Sequence, residues 1–373
     1  MGKERSGKKP AKPAPSRANG AALRAQLERL DRDLVKLIND RARIALQMDQ
    51  LRGVADGEVE PVRWDDEVIA RAIANSKGPL PPESVRATLR EVISGCRMLE
   101  KRLRVAYLGP AYSYTHLAAM QRFGQSAELV PVGSISAVFE ELNRAHADYG
   151  VVPIENSTDG RVADTLDMFT RIPVRICGEV QLRIHHHLLG KCPRSEVKEV
   201  YSRPQALSQC RNWLAKHLPA ARTIEMTSTS AAAQLAQEKQ GAAAIASIQA
   251  GIHYGLNVLA ENIEDNPANL TRFAVLGEQS AARTGKDKSA VMFEIEHRSG
   301  ALADALNIFK RNRLNLTWIE SFPISRPQGG YLFFVELDGH ESDAKVRKAT
   351  EALGRRALRL EVLGSYPKAE PAE

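Results

Sequence analysis

Residues 22–52 place Leu23, Leu27, Leu30, Leu34, Leu37, Ile44, Met48 and Leu51 at alternating steps of four and three, broken once at Arg41. Side chains at that spacing share one face of an α-helix. About 30 residues at about 1.5 Å rise make a rod about 45 Å long, too long to bury its apolar face alone. A second stripe, Val85, Leu89, Val92, Cys96, Leu99 and Leu103, runs through 82–103. Between them a shorter helix is expected near 65–76, followed by the breaker KGPLPP at 77–82. Three helices with such stripes read as a helical module built to dimerise.

From Arg104 the period changes. RVAYLG, ELVPV, YGVVPI, EVQLRI, VKEVYS and AAAIAS read as short strands separated by helical stretches, the alternation of an α/β domain ending near Gly277. After the polar linker EQSAARTGKDK, the order strand, helix, strand, strand, helix, strand over SAVMFEIEH to ALRLEVLG is ferredoxin-like. The fold class is therefore multidomain. A basic tail over 1–20 precedes an all-α module over 21–102, an α/β domain over 103–279 and a ferredoxin-like α+β domain over 289–367.

Composition narrows the function classes. Residues 1–20 carry six Lys or Arg against one Glu, leaving +2 of the formal +7 for the rest of the chain. That tail has the composition of a disordered, solvated segment, and it lacks the apolar run of a signal peptide. With 5% aromatic residues, a base-stacking surface is not expected, so no nucleic acid is predicted as a partner. No stretch approaches the ~20 apolar residues of a membrane span. Cys96, Cys177, Cys192 and Cys210 form no CxxC pair, which fits a reduced, cytoplasmic setting. His185, His186 and His187 lie in a strand-like QLRIHHHLLG run whose alternation sends neighbours to opposite faces, so structural histidines are expected and no metal.

Two groups of residues could carry chemistry. Arg41 interrupts the leucine stripe, with Arg24 and Arg52 beside it. A guanidinium there forms a salt bridge to Asp31 or Glu100, snorkels to the surface, or helps build an anion pocket inside a helical bundle. In the α/β domain, GPAYSYTH (109–116), ENSTDGR (155–161), YSRPQALSQC (201–210) and NLTRF (269–273) each follow an apolar segment. Ligands of open α/β domains sit at such strand ends, often against helix N-termini. The clusters are rich in hydroxyls and amides but hold no CxxC, GxSxG or Walker lysine. That points to an acid–base or elimination site without a cofactor.

The runs VAYLGPAYSYTHLAA, YGVVPIENSTDGRV, YSRPQALSQC and ANLTRFAVLG together resemble prephenate dehydratase. The helical module, with Arg24, Arg41 and the junction ISGCRMLEKRLRVAYLGP, resembles the chorismate mutase part of the bifunctional P-protein. RSGALADAL and NLTWIESFPI resemble the ACT regulatory domain that binds phenylalanine. The likeness covers about 22–366. It implies a two-lobed, periplasmic-binding-protein-like dehydratase domain. Its catalytic set would be Thr271, Glu155, Asn156, Ser202 and Gln209, with Ser113, Thr115, Ser157, Thr158, Arg272 and Phe273 holding substrate. It further implies prephenate and chorismate as substrates, L-phenylalanine as effector at Gly300, Ala301, Leu302, Glu320 and Ser321, and a homodimer or homotetramer.

Three departures from the family pattern stand out. Its first loop reads Gly-Pro-x-Gly, whereas Tyr112 occupies the fourth position here; a positive φ there would strain a tyrosine. Among the mutase residues, Arg24, Arg41, Arg52, Arg63 and Glu100 match in part, but no alignment of VEPVRWDDEVIARAI retains the Arg-Glu pair that opens the second helix. Weak or absent mutase activity is expected, with dimerisation as the surviving role. In the regulatory domain, Phe322 replaces the arginine of Glu-Ser-Arg-Pro. Arogenate dehydratase and a non-catalytic dicarboxylate or amino-acid sensor remain as alternatives.

Overall fold

The computed structural model describes residues 17–52, 66–100, 102–158, 160–323 and 330–372. The chain divides into two units, Met1–Gly57 and Glu58–Glu373, each taken by itself. The first holds helix α1, Arg17–Arg52, about 54 Å long at about 1.5 Å per residue. Its stripe residues Leu23, Leu27, Leu30, Leu34, Leu37, Ile44 and Met48 are each more than half exposed. Among the described residues of this unit, none gives that face the burial its spacing calls for.

The second unit opens with α2 (Asp66–Asn75) and α3 (Pro82–Glu100), which pack on each other. Pro82 sits at the start of α3, where a missing N–H leaves no bond unmade. Ile69 of α2 and Ile93 and Cys96 of α3 are buried.

A first lobe follows, made of β1 (Arg104–Leu108), α4 (Tyr114–Phe123), β2 (Glu128–Val132), α5 (Ile135–Asn143), β3 (Tyr149–Asn156), β4 (Gly160–Arg161), α6 (Ala163–Phe169) and β5 (Arg175–Arg183). α3 is fixed to it where Ser94 Oγ donates to Phe123 O at 2.6 Å, and α2 where Arg122 Nη1 donates to Asp66 Oδ2 at 2.8 Å. The chain then crosses to a second lobe of β6 (His187–Gly190), β7 (Glu199–Ser202), α7 (Pro204–Gln209), α8 (Arg211–His217), β8 (Arg222–Glu225), α9 (Thr229–Glu238), β9 (Ala242–Ala246), α10 (Ile248–His253) and β10 (Asn257–Ala260). It returns through β11 (Leu270–Gly277), which runs antiparallel between β3 and β5. At the crossing, Ile184 N–H donates to Asn269 O at 2.8 Å, tying the outgoing and returning segments. The expected strand through the three histidines is therefore broken between Arg183 and His187, because the chain changes lobes there.

The last part holds β12 (Asp287–Ile295), α11 (Ala301–Arg311), β13 (Leu316–Pro323), β14 (Tyr331–Asp338), α12 (Ala344–Gly354) and β15 (Arg359–Pro367), in the ferredoxin-like order, sheet β13-β14-β12-β15. Alternation explains its place. Val291, Phe293, Val335 and Leu337 face α11 and α12, whereas Ala290, Met292, Phe334 and Leu363 join the core of the first lobe with Ile154, Phe169 and Ile176. β15 passes so close to β5 that a Cβ on Gly364, φ +146°, would lie 2.1 Å from Ile176 O. A final strand, β16 (Pro371–Ala372), adds to the free edge of β5.

Candidate active site

Pairing of β3 with β11 sets Thr271 opposite Asn156 and Arg272 opposite Glu155, so residues 115 apart in sequence become cross-strand neighbours. Past Asn156 the chain turns, and Thr158 N–H donates to Asn156 Oδ1 at 2.9 Å. A backbone N–H can only donate, so this contact orients the whole amide. Asn156 Nδ2 therefore donates to Thr271 Oγ1 at 2.7 Å and to Asn269 Oδ1 at 3.1 Å. The Thr271 oxygen accepts, and its own O–H has no acceptor among the described residues. Ser157 fastens the loop: its N–H donates to Leu270 O at 2.8 Å and its hydroxyl accepts from Leu270 N–H at 2.9 Å. Thr158 Oγ1 reaches Asn269 Oδ1 at 3.4 Å.

The second lobe meets this cluster through Gln209, the last residue of α7. Its Oε1 accepts from Asn269 Nδ2 and lies the same 2.9 Å from His186 Nε2. Burial lowers the His186 pKa and pushes the Cys210 thiol well up, so that sulfur is no nucleophile at neutral pH. Glu264 accepts from His186 N–H at 2.8 Å and sits 2.7 Å from His185 Nδ1, which seats the histidine pair from below. Among the described residues no group of three or more His, Cys, Asp or Glu is placed to hold a metal ion.

Other residues singled out from the sequence bond elsewhere than to Thr271. Ser202 is fully buried, and its hydroxyl donates to Ile245 O at 2.7 Å, binding β7 to β9. Ser113 caps α4, accepting from His116 N–H at 3.3 Å, while Thr115 is buried in that helix's first turn. Phe273 is core. Tyr112 does adopt a positive φ, 61°. Its N–H donates to His116 Nδ1 at 2.9 Å, its ring stacks on His253 with centroids 4.0 Å apart, and Ser230 Oγ donates to the neighbouring Ala111 O at 2.6 Å. These contacts with the second lobe offset a backbone strain of about 1–2 kcal/mol.

Arg272 is the centre of a buried charge cluster. Its guanidinium donates to Glu155 at 2.7 Å, to Glu179 at 3.0 Å and to both oxygens of Glu336 on β14, at 2.6 and 2.7 Å. Lys288 of β12 donates to Glu179 at 3.1 Å, and Tyr366 O–H of β15 donates to Glu336 at 2.8 Å. Burial works to lower the Arg272 pKa, but Glu336 and Glu179 overcome it and hold the guanidinium firmly charged. Burial likewise works to raise the Glu179 pKa, yet Lys288 and Arg272 bring it below the usual carboxylate value. The residue next to Thr271 is thus bonded to the ferredoxin-like domain. A second link lies at β4, where Arg161 Nη1 pairs with Glu320 at 2.7 Å and the guanidinium stands 4.6 Å over the Phe322 ring. In the same domain, Gly300 (φ +80°) precedes α11 and Ala301 is buried.

Arg24 and Arg41 lie on α1, the former exposed and the latter partly covered. Arg63 and the side chains of Arg52 and Glu100 fall outside the described residues. Sequence reasoning read His186 as structural and Asn269 only as part of a polar cluster, and it passed over Glu179 and Glu336. Asn269 was legible as a same-face neighbour of Thr271 two positions along an extended chain. The two glutamates were legible as charges inside otherwise apolar strands.

Residues 105–281 match the prephenate dehydratase family, 23–101 the type II chorismate mutase family and 289–355 the ACT domain. The bifunctional chorismate mutase/prephenate dehydratase of Aquifex aeolicus (strain VF5) is 41% identical over 352 residues, covering 93% of this chain and 97% of that protein. The protein of the same name from Pseudomonas aeruginosa is 40% identical over 355 residues, again covering 93% and 97%. Among solved structures, the prephenate dehydratase of Arthrobacter aurescens in complex with L-Phe superposes with a TM-score of 0.67 at 34% identity, over 73% of this chain and 92% of that one. In order, extent and identity, the match runs through all three parts. The chain belongs to the family of bifunctional chorismate mutase/prephenate dehydratases.

Proposed function

We propose that the chain converts prephenate to phenylpyruvate, losing carbon dioxide and water, and that L-phenylalanine acting on the ACT domain restrains it. One observation carries the chemistry: the Thr158–Asn156 turn obliges Thr271 Oγ1 to accept, which leaves the Thr271 O–H as a donor. In the reaction the carboxylate C–C bond breaks, and its electron pair enters the ring as the ring becomes aromatic. The C–O bond breaks at the far side, and the departing hydroxide takes up one proton to leave as water. Hydroxide is a poor leaving group unless it is hydrogen-bonded as it goes. A threonine hydroxyl is too weak an acid for full transfer, so Thr271 acts by donation, strengthened by the Asn156 N–H on its oxygen. The proton comes finally from water.

Glu155 is held by Arg272, one position from Asn156 on β3. Ser157 and Thr158 line the turn; their N–H groups are taken by Leu270 O and Asn156 Oδ1, so they hold the site in shape and leave the Thr158 hydroxyl to face substrate. Arg272 serves to position β11. Ser202 serves to hold the second-lobe sheet.

The helical module is the proposed mutase and dimer element. The exposed α1 stripe supports pairing with a second copy of this chain, as a homodimer or homotetramer, with Arg24 and Arg41 clamping chorismate carboxylates. Missing its Arg-Glu pair, that site is assigned weak activity. No described helix is long and apolar enough to cross a membrane, and all four cysteines are free, which supports the cytoplasmic reading. Assay of purified protein with prephenate, by phenylpyruvate formation, tests the main proposal. Absence of turnover with both prephenate and arogenate would leave a sensor.

A further inference from the structure

We infer that His186, acting through Gln209 and Asn269, is a positioning residue that fixes which way the Thr271 hydroxyl points. The inference rests on the dehydratase reading of this site and names residues that reading does not require.

Direction in the chain of bonds is set at one end by a backbone amide. Thr158 N–H must donate, so the atom of Asn156 facing it is Oδ1, and Nδ2 is what faces Thr271 and Asn269. The Asn269 atom receiving that donation must be its oxygen, which leaves its Nδ2 to donate to Gln209. The Gln209 atom so placed must be its oxygen, and the same oxygen lies 2.9 Å from His186 Nε2. His186 therefore carries its proton on Nε2. Four side chains from four segments and both lobes are locked in one sense; Asn269 is 1% and His186 2% exposed, so bulk water is kept from those two.

The far end is equally built. Tyr114 O–H lies 2.8 Å from His185 O and 3.1 Å from His186 Nδ1, one hydrogen shared by two acceptors when the His186 proton is on Nε2, with the two rings edge to face at 5.8 Å. Glu264 takes the His186 backbone N–H. The ring is thus held in place with Nε2 aimed at Gln209. Whether His186 is neutral or charged, Nε2 keeps its proton, so the sense of the chain does not depend on its ionisation.

Reversal at any link sets N–H against N–H. With the proton on Nδ1 alone, His186 Nε2 would become an acceptor and demand the Gln209 amide nitrogen. Asn269 would then have to turn, and its N–H would meet the N–H of Asn156. Thr158 N–H still holds the Asn156 oxygen, so the repulsion would instead push the Asn156 amide off the Thr271 oxygen and loosen the hydroxyl it orients. Misdirection of a group at the reacting centre costs up to ~100-fold in rate without any lost contact to substrate.

The test uses the full-length protein with ring-¹⁵N-labelled histidine and three variants. The ¹⁵N shifts of wild type are expected to show His186 protonated at Nε2 near pH 8; a proton on Nδ1 alone would overturn the inference. His186→Gln places an amide donor close to the Nε2 position and is expected to keep kcat within about fivefold of wild type. His186→Leu fills the space without a donor. It is expected to lower kcat ~10–100-fold while KM moves by less than about threefold. Asn269→Asp, which cannot donate to Gln209, is expected to behave like His186→Leu. Equal damage in the glutamine and leucine variants would mean the ring serves only as packing, and undamaged kcat in His186→Leu would refute positioning outright. Wild-type protein inert toward prephenate and arogenate would instead remove the dehydratase reading, a failure distinct from an active wild type with an indifferent His186.

Discussion

Replacing Glu336 by Gln removes one charge from the cluster that joins the catalytic strand to the ACT domain. In the native chain Glu336 is 1% exposed and accepts from Arg272 at 2.6 and 2.7 Å and from Tyr366 at 2.8 Å, with Lys288 at 3.7 Å. Breaking a buried ion pair costs about 3–5 kcal/mol, because the surviving charge stays buried. Glutamine keeps one acceptor, so the lower end applies. A loss of about 3 kcal/mol is more than a hundredfold in a folding equilibrium. A chain of several domains does not unfold in one step, so a single melting curve is the wrong assay. Native-state hydrogen exchange resolves the effect by strand. The opening free energy of β11, β12 and β14 is expected to fall by about 3 kcal/mol, while that of β6, β7 and β9 stays within about 0.5 kcal/mol. Turnover should fall as well, because Thr271 adjoins Arg272 in β11. A companion variant with Met at both 272 and 336 leaves Lys288 with Glu179 and should recover part of the stability, though not the activity. A change below about 0.5 kcal/mol in Glu336→Gln, or an equal loss in both lobes, would refute the reasoning.

Thr271→Val, which keeps shape and removes the donor, is expected to lower kcat ~10²–10⁴-fold in the prephenate assay, with Thr271→Ser close to wild type. Glu320→Ala cuts the Arg161 link and should raise the phenylalanine concentration for half-inhibition about fivefold or more, leaving uninhibited turnover unchanged; an unaltered inhibition curve would contradict the route. Burial lowers the pKa of His116, His186 and His187, so the folded state binds fewer protons than the unfolded one. Their stabilisation is complete above about pH 6.5 and is lost as pH falls below it. Denaturant midpoints followed by a second-lobe probe should therefore drop between pH 7 and 5, before the carboxylates of Glu179 and Glu264 begin to protonate. Gly364→Ala must move a Cβ away from Ile176 O and should loosen the ACT domain by more than about 2 kcal/mol, read as faster exchange in β15.

Much of this architecture is legible in residue order. The switch from a period of 3.6 to alternation at Arg104, and to βαββαβ after residue 287, marks the three parts because each period follows from backbone geometry. Polar runs after apolar strands point to the site because strand ends are where an α/β chain presents side chains. What the sequence does not carry is pairing. Nothing local in ENSTDG says that Asn156 will lie across from Thr271, since that neighbourhood is made by the register of β3 and β11. His186 reads as a core histidine because alternation assumes an unbroken strand, and the crossing between lobes breaks it there. Glu179 and Glu336 look anomalous in strands buried on both faces, but only the docking of one domain on another reveals Arg272 as the charge they share. Tyr112 is the opposite case: the family pattern alone anticipates its positive φ, and His253 supplies the stacking partner.

The most direct test gives the purified chain prephenate and chorismate in separate reactions and follows phenylpyruvate in each. Turnover of prephenate, lowered ~10²–10⁴-fold in Thr271→Val and accompanied by slow or no turnover of chorismate, is the predicted result. A protein that leaves prephenate and arogenate untouched, or one in which Thr271→Val works as well as wild type, would contradict the account at its centre.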